Sequence, residues 1–347
     1  MMRRRTTLLT GCTALVLALG ATACGGDPVS AGGGDKALDG QTVTVAGVWT
    51  GTEQKNFQKV LDAFSEKTGA KTTFVSTGDN VSTVVGSKIE GGNAPDVVMV
   101  PQVGVLKQFA QKGWLKPLSA TAQKSVDANF APVWKNYGSV DDTLYGLYFK
   151  AAHKSTVWYS PDALAQAGVE PPTSYDDLLK AGRTVSDSGL AAFSVAGQDG
   201  WTLTDWFENV YLSQAGPEKY DALATHQLKW TDASVVKALT TLGELFKDKQ
   251  PEAAAVWAEA GGFLSPNKNV DLASYGDDVT RETAKSLVAA GDSVRFDMSD
   301  QAPAAFGGTK GAGEWKLLQD FLRDPSDPKG TAAKLEAAAA KAYEGQG

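Results

Sequence analysis

The stretch Gly91–Gln102 constrains the fold most strongly, with the sequence Gly-Gly-Asn-Ala-Pro-Asp-Val-Val-Met-Val-Pro-Gln. The residue before a proline favours extended backbone, so Asn93–Pro95 predicts a turn. Val97–Val100 is an unbroken apolar run, which is typical of a parallel strand covered on both faces. Ligands in open α/β sheets bind beyond the carboxyl ends of the strands. The end of this strand at Pro101 and Gln102 therefore predicts a binding edge.

The residues before this stretch alternate between strand and helix patterns. Segment 41–47 alternates threonine with valine and predicts a first strand, and 71–75 predicts a second. Between them, apolar residues recur at the spacing of one helix face: Phe57, Val60, Leu61 and Phe64. A second amphipathic helix is predicted from about Asn80. Three strand–helix repeats predict an α/β fold with a mostly parallel sheet.

The pattern changes after Trp134. Short aromatic strands are predicted near residues 145–149 and 156–159, and an aromatic helix over 201–214. Two more helices, over 231–249 and 251–260, follow almost end to end.

The first residues predict a targeting segment. A basic head, an apolar core and small residues at Ala21–Ala23 are typical of a signal peptide, here 1–23. Cys24 follows in a context that resembles a lipoprotein cleavage site, so we expect a lipidated Cys24 and a flexible glycine-rich tether over 24–40. The alternative is an ordinary secretory signal with Cys24 left as a free thiol. Cys12 lies in the removed segment, so the mature chain has no internal disulfide.

The charge balance excludes some partners. The chain has 33 basic and 40 acidic residues, and three of the basic ones are arginines of the signal peptide. The mature protein is therefore acidic, which argues against nucleic acid and against anionic lipid as partners. The length suits two domains with ample core.

Several motifs, taken in order, are shared with one family. They are Gly91–Asp96, Tyr145-Gly146 leading to Lys150, Val157–Pro161, Thr204–Asn209, Gly261–Asn267 and Arg295–Asp300. The chain resembles the extracellular solute-binding proteins (family 1) of ABC sugar importers, in particular actinobacterial α-glucoside-binding lipoproteins.

The resemblance implies a two-lobed, type II periplasmic-binding-protein-like α/β fold with a hinge. The first lobe would comprise 41–146 and 251–262, and the second 147–250 and 263–347. It also implies a monomer without cofactor or metal. This monomer would be anchored to the outer face of the cell membrane and would deliver a carbohydrate to the transmembrane subunits of an ABC permease.

One junction departs from the family pattern. In the family, a substantial segment separates the helix that ends near Lys249 from the one that begins near Pro251. Here Lys249-Gln250 runs directly into Pro251. We therefore expect an internal deletion, an incomplete first lobe, and two crossings between the lobes, near 146–154 and 260–266.

A sugar presents apolar C–H faces and a ring of hydroxyls, so its site needs aromatic platforms together with carboxylates, amides and donors. Candidates of these types lie at predicted strand ends and helix starts: Trp49, Glu53, Gln102, Lys150, Trp201, Asp205, Phe296, Asp297 and Asp300. An alternative role of Glu53 is to complement a helix dipole, and one of Lys150 is an ion pair. We expect core packing for the other tryptophans considered, namely Trp158, Trp206, Trp257 and Trp315.

Three other function classes remain open at this point. A glycosidase needs two carboxylates facing one bond, and no such pair stands out. His153 and His226 are the only histidines, which disfavours a metal site or a Ser-His-Asp triad. The remaining classes are a lipid-anchored scaffold and a shortened family member that binds no ligand.

Overall fold

The computed structural model of the protein describes residues 36–154, 156–190, 192–193, 197, 200–247, 264, 266–269 and 271–344. The predicted signal peptide, Cys24, the tether up to residue 35 and the predicted 251–260 helix lie outside these ranges.

Three parallel strands form the sheet of the first lobe, in the order β2–β1–β3. The central strand β1 (Thr42–Gly47) pairs along its whole length with β2 (Lys71–Ser76). On its other side it pairs with β3 (Val97–Val98) through Val45 and Ala46. The parallel sheet predicted from the sequence is confirmed, although β3 is shorter than the predicted 97–100.

Helices α1 (Gly51–Thr68) and α2 (Val81–Glu90) connect these strands. Neighbouring residues of β1 point to opposite faces, so Val45 joins the apolar cluster of α1 and Ala46 joins that of α2. The predicted apolar face of α1 is only half covered. Phe57 and Leu61 are buried, whereas Val60 and Phe64 are 58% and 38% exposed.

A third apolar cluster lies beside the sheet. It involves α3 (Val103–Gln111), α5 (Pro132–Tyr137) and Val140 of β4 (Ser139–Val140), which forms a hairpin with β5 (Thr143–Leu144). Helix α4 (Ala120–Asn129) precedes α5 in the chain. Trp134 of α5 and Tyr148 are buried there. The aromatic segment 145–149, predicted as a strand, follows the hairpin as irregular chain.

The described chain after residue 156 is mostly helical. Its helices are α6 (Pro161–Ala167), α7 (Tyr175–Asp187), α8 (Trp201–Ala215), α9 (Pro217–Ala224), α10 (Ala233–Lys247), α11 (Asp278–Ala290), α12 (Met298–Gln301), α13 (Ala304–Gly307), α14 (Gly313–Arg323) and α15 (Pro328–Glu344). Single 3-10 turns occur at Leu272–Ser274 and Gly291–Ser293. Helix α11 contributes Ala284 and Leu287 to the cluster around Trp134.

The largest core lies among α8, α10, α14 and α15. Phe207 and Tyr211 of α8 are fully buried and pack with Leu239 of α10 and Phe321 of α14. Each such side chain contributes about 1.5–3 kcal/mol to folding by leaving water. This core supports the aromatic helix α8, which the sequence predicted over 201–214.

The predicted strand over 156–159 is wrong. Val157, Trp158 and Tyr159 are irregular and 63%, 76% and 51% exposed, and no described strand pairs with them. The expectation that Trp158 packs in the core is therefore also wrong, since an apolar strand is covered only where partner strands exist. Trp315 is buried as expected, and Trp206 packs at the edge of the largest core. Trp257 lies outside the described residues.

The two predicted crossing segments contact each other at one described residue of each. Ala151 and Leu264 exchange backbone hydrogen bonds of 2.8 Å and 3.1 Å in an antiparallel bridge. This bridge places Lys150 and Lys154 at the junction between the first-lobe sheet and the second-lobe helices. None of the described helices is long and apolar enough to span a membrane.

Candidate functional site

The structure groups most of the predicted site residues around two lysines of the first crossing segment. We call Trp49, Glu53 and Lys150 the Lys150 cluster. We call Lys154, Trp201, Asp205 and Asp297 the Lys154 cluster. Each cluster combines an aromatic ring, at least one carboxylate and one ammonium group.

The Lys150 cluster lies at the carboxyl end of β1. Trp49 follows that strand, and Glu53 lies in the first turn of α1. Lys150 Nζ lies 2.5 Å from Glu53 Oε1 and 5.5 Å from the centre of the Trp49 ring. Trp49 also packs against Phe57, with ring centres 4.6 Å apart. Glu53 therefore forms an ion pair in addition to its position near the helix dipole.

The Lys154 cluster lies at the start of α8. Trp201 and Asp205 are one turn apart on this helix and so share a face. Lys154 Nζ lies 3.0 Å from Asp205 Oδ1, pairs also with Asp297 Oδ2, and is 5.3 Å from the centre of the Trp201 ring. Asn209 Nδ2 donates to the Lys154 carbonyl at 2.9 Å. The ammonium is thus held by two carboxylates and a ring face.

Burial and charge act in opposite directions within the Lys154 cluster. Burial raises the pKa of Asp205 to about 7, because Lys154 offsets only part of the desolvation. Burial also acts to raise the pKa of Asp297, but Lys154 and several hydrogen bonds hold that pKa below its usual value. At neutral pH, Lys154 and Asp297 therefore form a full ion pair, while Asp205 exchanges its proton in the neutral range.

The remaining predicted residues lie around the Lys154 cluster. The side chain of Gln102 is buried and acts to lower the pKa of the Asp300 carboxyl. Burial and the nearby charge of Asp297 raise the pKa of Asp300 well above its usual value. Phe296 is half-buried and packs against Tyr137 and Tyr148, with ring centres 5.0 Å and 4.9 Å apart. Gln102 thus connects the end of the first-lobe sheet to the loop that carries Asp297.

Sequence reasoning missed several residues of this region. Lys154 forms the centre of its cluster, and Glu208, Asn209 and Tyr220 hold the surrounding backbone. The available signal was helical spacing, because Asn209 and Glu208 follow Asp205 by one turn.

Metal binding receives no support in the part of the chain that the structure describes. No three His, Cys, Asp or Glu side chains there are arranged to hold a metal ion. A surface cavity of about 160 Å³, bordered by Gln108 and Trp114, includes none of the predicted site residues.

Comparison with known proteins decides the family. The family model for bacterial extracellular solute-binding proteins matches residues 49–345. The chain belongs to this family. This solute-binding protein is therefore a binding component and not an enzyme, which sets aside the glycosidase alternative.

Two curated relatives illustrate the similarity. The osmoprotective compounds-binding protein GgtB of Synechocystis sp. (strain PCC 6803) is 26% identical, with 87% of this chain and 92% of that protein aligned. The α-glucosides-binding periplasmic protein AglE of Rhizobium meliloti is 31% identical over 59% of this chain and 47% of its own length. The GgtB alignment spans 399 positions but only about 302 residues of this chain (87% of 347), which leaves about 97 positions without a counterpart here.

Solved structures confirm the two-lobed solute-binding fold that the sequence predicted. The bacterial solute receptor AcbH, described with a preference for β-D-galactopyranose, superposes with a TM-score of 0.62 at 16% identity, covering 88% of this chain and 99% of that chain. A chitin oligosaccharide binding protein superposes with a TM-score of 0.60 at 14% identity, covering 87% and 99%. Identities this low establish the fold alone.

Proposed function

We propose that this solute-binding protein captures a carbohydrate, an α-glucoside or short oligosaccharide, between its two lobes and delivers it to the permease of an ABC importer. The observation that carries the proposal is the pair of clusters at the lobe junction. Each offers a tryptophan beside a carboxylate and an ammonium group, one at the first-lobe sheet edge and one at the start of α8.

The chemistry of both clusters suits a sugar. Tryptophan rings pack against the apolar C–H faces of a pyranose, and paired carboxylates accept hydrogen bonds from its hydroxyls. Both tryptophans are half-buried, so part of each ring remains open to solvent. The names of AglE and of the chitin oligosaccharide binding protein support the same ligand class.

Hinge closure supplies the transport mechanism. A sugar that contacts both clusters stabilises the arrangement in which the lobes are close, and this closed form docks on the permease. The protein itself makes and breaks no covalent bond. Export with lipidation at Cys24 would keep it, as a monomer, at the outer face of the cell membrane. A Cys24→Ala variant that still fractionates with membranes would contradict the anchor.

Isothermal titration of the purified chain from residue 25 onward, against maltose, trehalose and a short α-glucan, tests the function. Saturable heat with any one sugar is expected. Trp201→Ala and Asp297→Ala should weaken that binding at least tenfold while the protein still melts cooperatively. The matched control is Trp158→Ala, since Trp158 is 76% exposed and outside both clusters. Equal affinities in all variants would remove the site assignment.

The second candidate is a shortened family member that binds no ligand. Val97 on the edge strand β3 is 41% exposed, and half of the α1 apolar face is uncovered. These uncovered surfaces favour an incomplete first lobe, and the unmatched positions of the GgtB alignment favour a shortened chain. The absence of heat from a cooperatively folded protein, for all three sugars, would support this candidate over the first.

A further inference from the structure

Glu208 of α8 makes the densest set of hydrogen bonds to the loop that carries Asp297. Its carboxylate is buried and accepts the Met298 N–H at 2.7 Å and the Ser299 N–H at 2.9 Å. It also accepts the Tyr220 hydroxyl at 2.6 Å. The backbone groups are the first N–H donors of α12, which have no partner within the helix.

This arrangement determines which groups the two carboxylate oxygens of Asp297 contact. Asp297 is the N-cap of α12, and its Oδ1 accepts the Asp300 N–H at 3.3 Å and the Ser299 hydroxyl at 2.7 Å. Because Glu208 takes the other two N–H donors, Asp297 Oδ2 remains for Lys154.

Tyr220 contacts the backbone on the other side of Asp297. Its hydroxyl lies 2.6 Å from Glu208 Oε2 and 3.1 Å from the Phe296 carbonyl. The single hydroxyl proton lies between these two acceptors, so the phenol bridges the Glu208 carboxylate and the Phe296 carbonyl, one residue before Asp297. The same helix that carries Glu208 also carries Trp201 and Asp205, at the i, i+4 and i+7 spacing of one face.

We propose that Glu208 is a positioning residue for the ligand site: by capping α12 from α8, it fixes Asp297 and, through Asp297, the Lys154 ammonium beside Trp201. This assignment rests on the proposed function only for its effect on sugar affinity, because the effect on the Lys154–Asp297 ion pair exists without ligand. Burial and the charges of Asp297 and Glu314 raise the pKa of Glu208. Tyr220 is the hydrogen-bond donor that opposes this rise.

The test compares Glu208→Gln with a matched control, Glu336→Gln. Glu336 also accepts a backbone N–H, that of Trp230 at 2.7 Å, but it lies on α15 outside both clusters. Affinity for maltose, trehalose and a short α-glucan is measured at a temperature where both variants are folded. Glu208→Gln should lose at least tenfold in affinity, and Glu336→Gln less than twofold. Equal effects of the two substitutions would overturn the proposal.

A double-mutant cycle separates positioning from general support of the fold. If Glu208 acts through Asp297, adding Glu208→Gln to Asp297→Asn changes affinity by less than twofold. If the double variant instead loses affinity by the product of the two single losses, Glu208 does not act through Asp297.

A ligand-free crystal structure of Glu208→Gln supplies the readout that needs no sugar. Loss of the contact between Lys154 Nζ and Asp297 Oδ2 is expected, and its retention overturns the proposal. If the wild-type protein binds none of the sugars, the carbohydrate function fails while this structure still decides the role of Glu208.

Discussion

Replacing Lys154 with methionine removes the charge that holds the Lys154 cluster together and keeps an unbranched side chain that is one atom shorter. Breaking a buried ion pair by removing one partner costs about 3–5 kcal/mol, because the other charge is left without compensation. Two observations reduce this figure. The Lys154 side chain is 36% exposed, and Asp205, whose pKa is about 7, can take up a proton near neutral pH when Lys154 is absent. Only Asp297 then keeps a full unpaired charge, so we expect a loss of about 2 kcal/mol at pH 7.

The free energy of unfolding that Lys154→Met loses should become smaller as the pH falls. In the wild type, Lys154 holds the folded-state pKa of Asp297 below its unfolded value. This group therefore contributes stability above the unfolded pKa of about 3.9, and the contribution disappears as the pH falls through the folded-state pKa. The Lys154→Met variant lacks the contribution, so the two proteins should converge in stability toward low pH.

Urea unfolding at pH 7 and at several values from pH 4 down to about pH 2, followed by far-UV circular dichroism, measures both effects. The matched control is Lys285→Met on α11, whose ion pair with Glu282 is exposed on both sides. Exposed pairs contribute little, so this control should unfold like the wild type. Equal unfolding midpoints for Lys154→Met and Lys285→Met at pH 7 would refute the assignment of Lys154 as the charge partner of Asp297.

Two other substitutions test the electrostatics and the packing at the lobe junction. The folded state keeps the proton of Asp205 up to about pH 7, whereas the unfolded state loses it near pH 3.9, so this group makes stability fall as the pH rises between those values. Asp205→Asn should flatten that part of the stability–pH curve measured by urea unfolding, and an unchanged slope would contradict the raised pKa. Gly104→Ala should destabilise the protein by about 3 kcal/mol, because its new Cβ would lie 1.9 Å from the Ala302 carbonyl oxygen. The helical control Gly86→Ala has 3.4 Å to the Trp114 ring and should be neutral in the same thermal melts, so equal melting temperatures would refute the close approach.

The first-lobe sheet could be predicted from the sequence because its signals are local. Threonine–valine alternation marks β1, and Phe57 and Leu61 mark the buried face of α1 within a few residues of it. The aromatic helix α8 was predictable for the same reason. Val157–Tyr159 carried an equally strong strand signal, yet the segment is exposed because pairing depends on strands elsewhere in the chain.

The residue types of the candidate site could be predicted from the sequence, but the contacts between its side chains could not. Trp201, Asp205 and Asp297 stand out as sugar-binding types at loop and helix starts. Lys154 does not, since its role arises from contacts with residues 51 and 143 positions later in the chain. In the sequence, Glu208 looks like any other glutamate of a helix. Only the position of α12, 90 residues further on, shows which groups its carboxylate binds.

Small-angle X-ray scattering of the mature chain, with and without saturating maltose, trehalose or a short α-glucan, tests the central claim most directly. A protein that closes two lobes around a carbohydrate should show a smaller radius of gyration with the sugar that binds, and Trp201→Ala should need a higher concentration of it. A radius of gyration unchanged by every sugar, in protein that unfolds cooperatively, would contradict capture of a carbohydrate between the lobes.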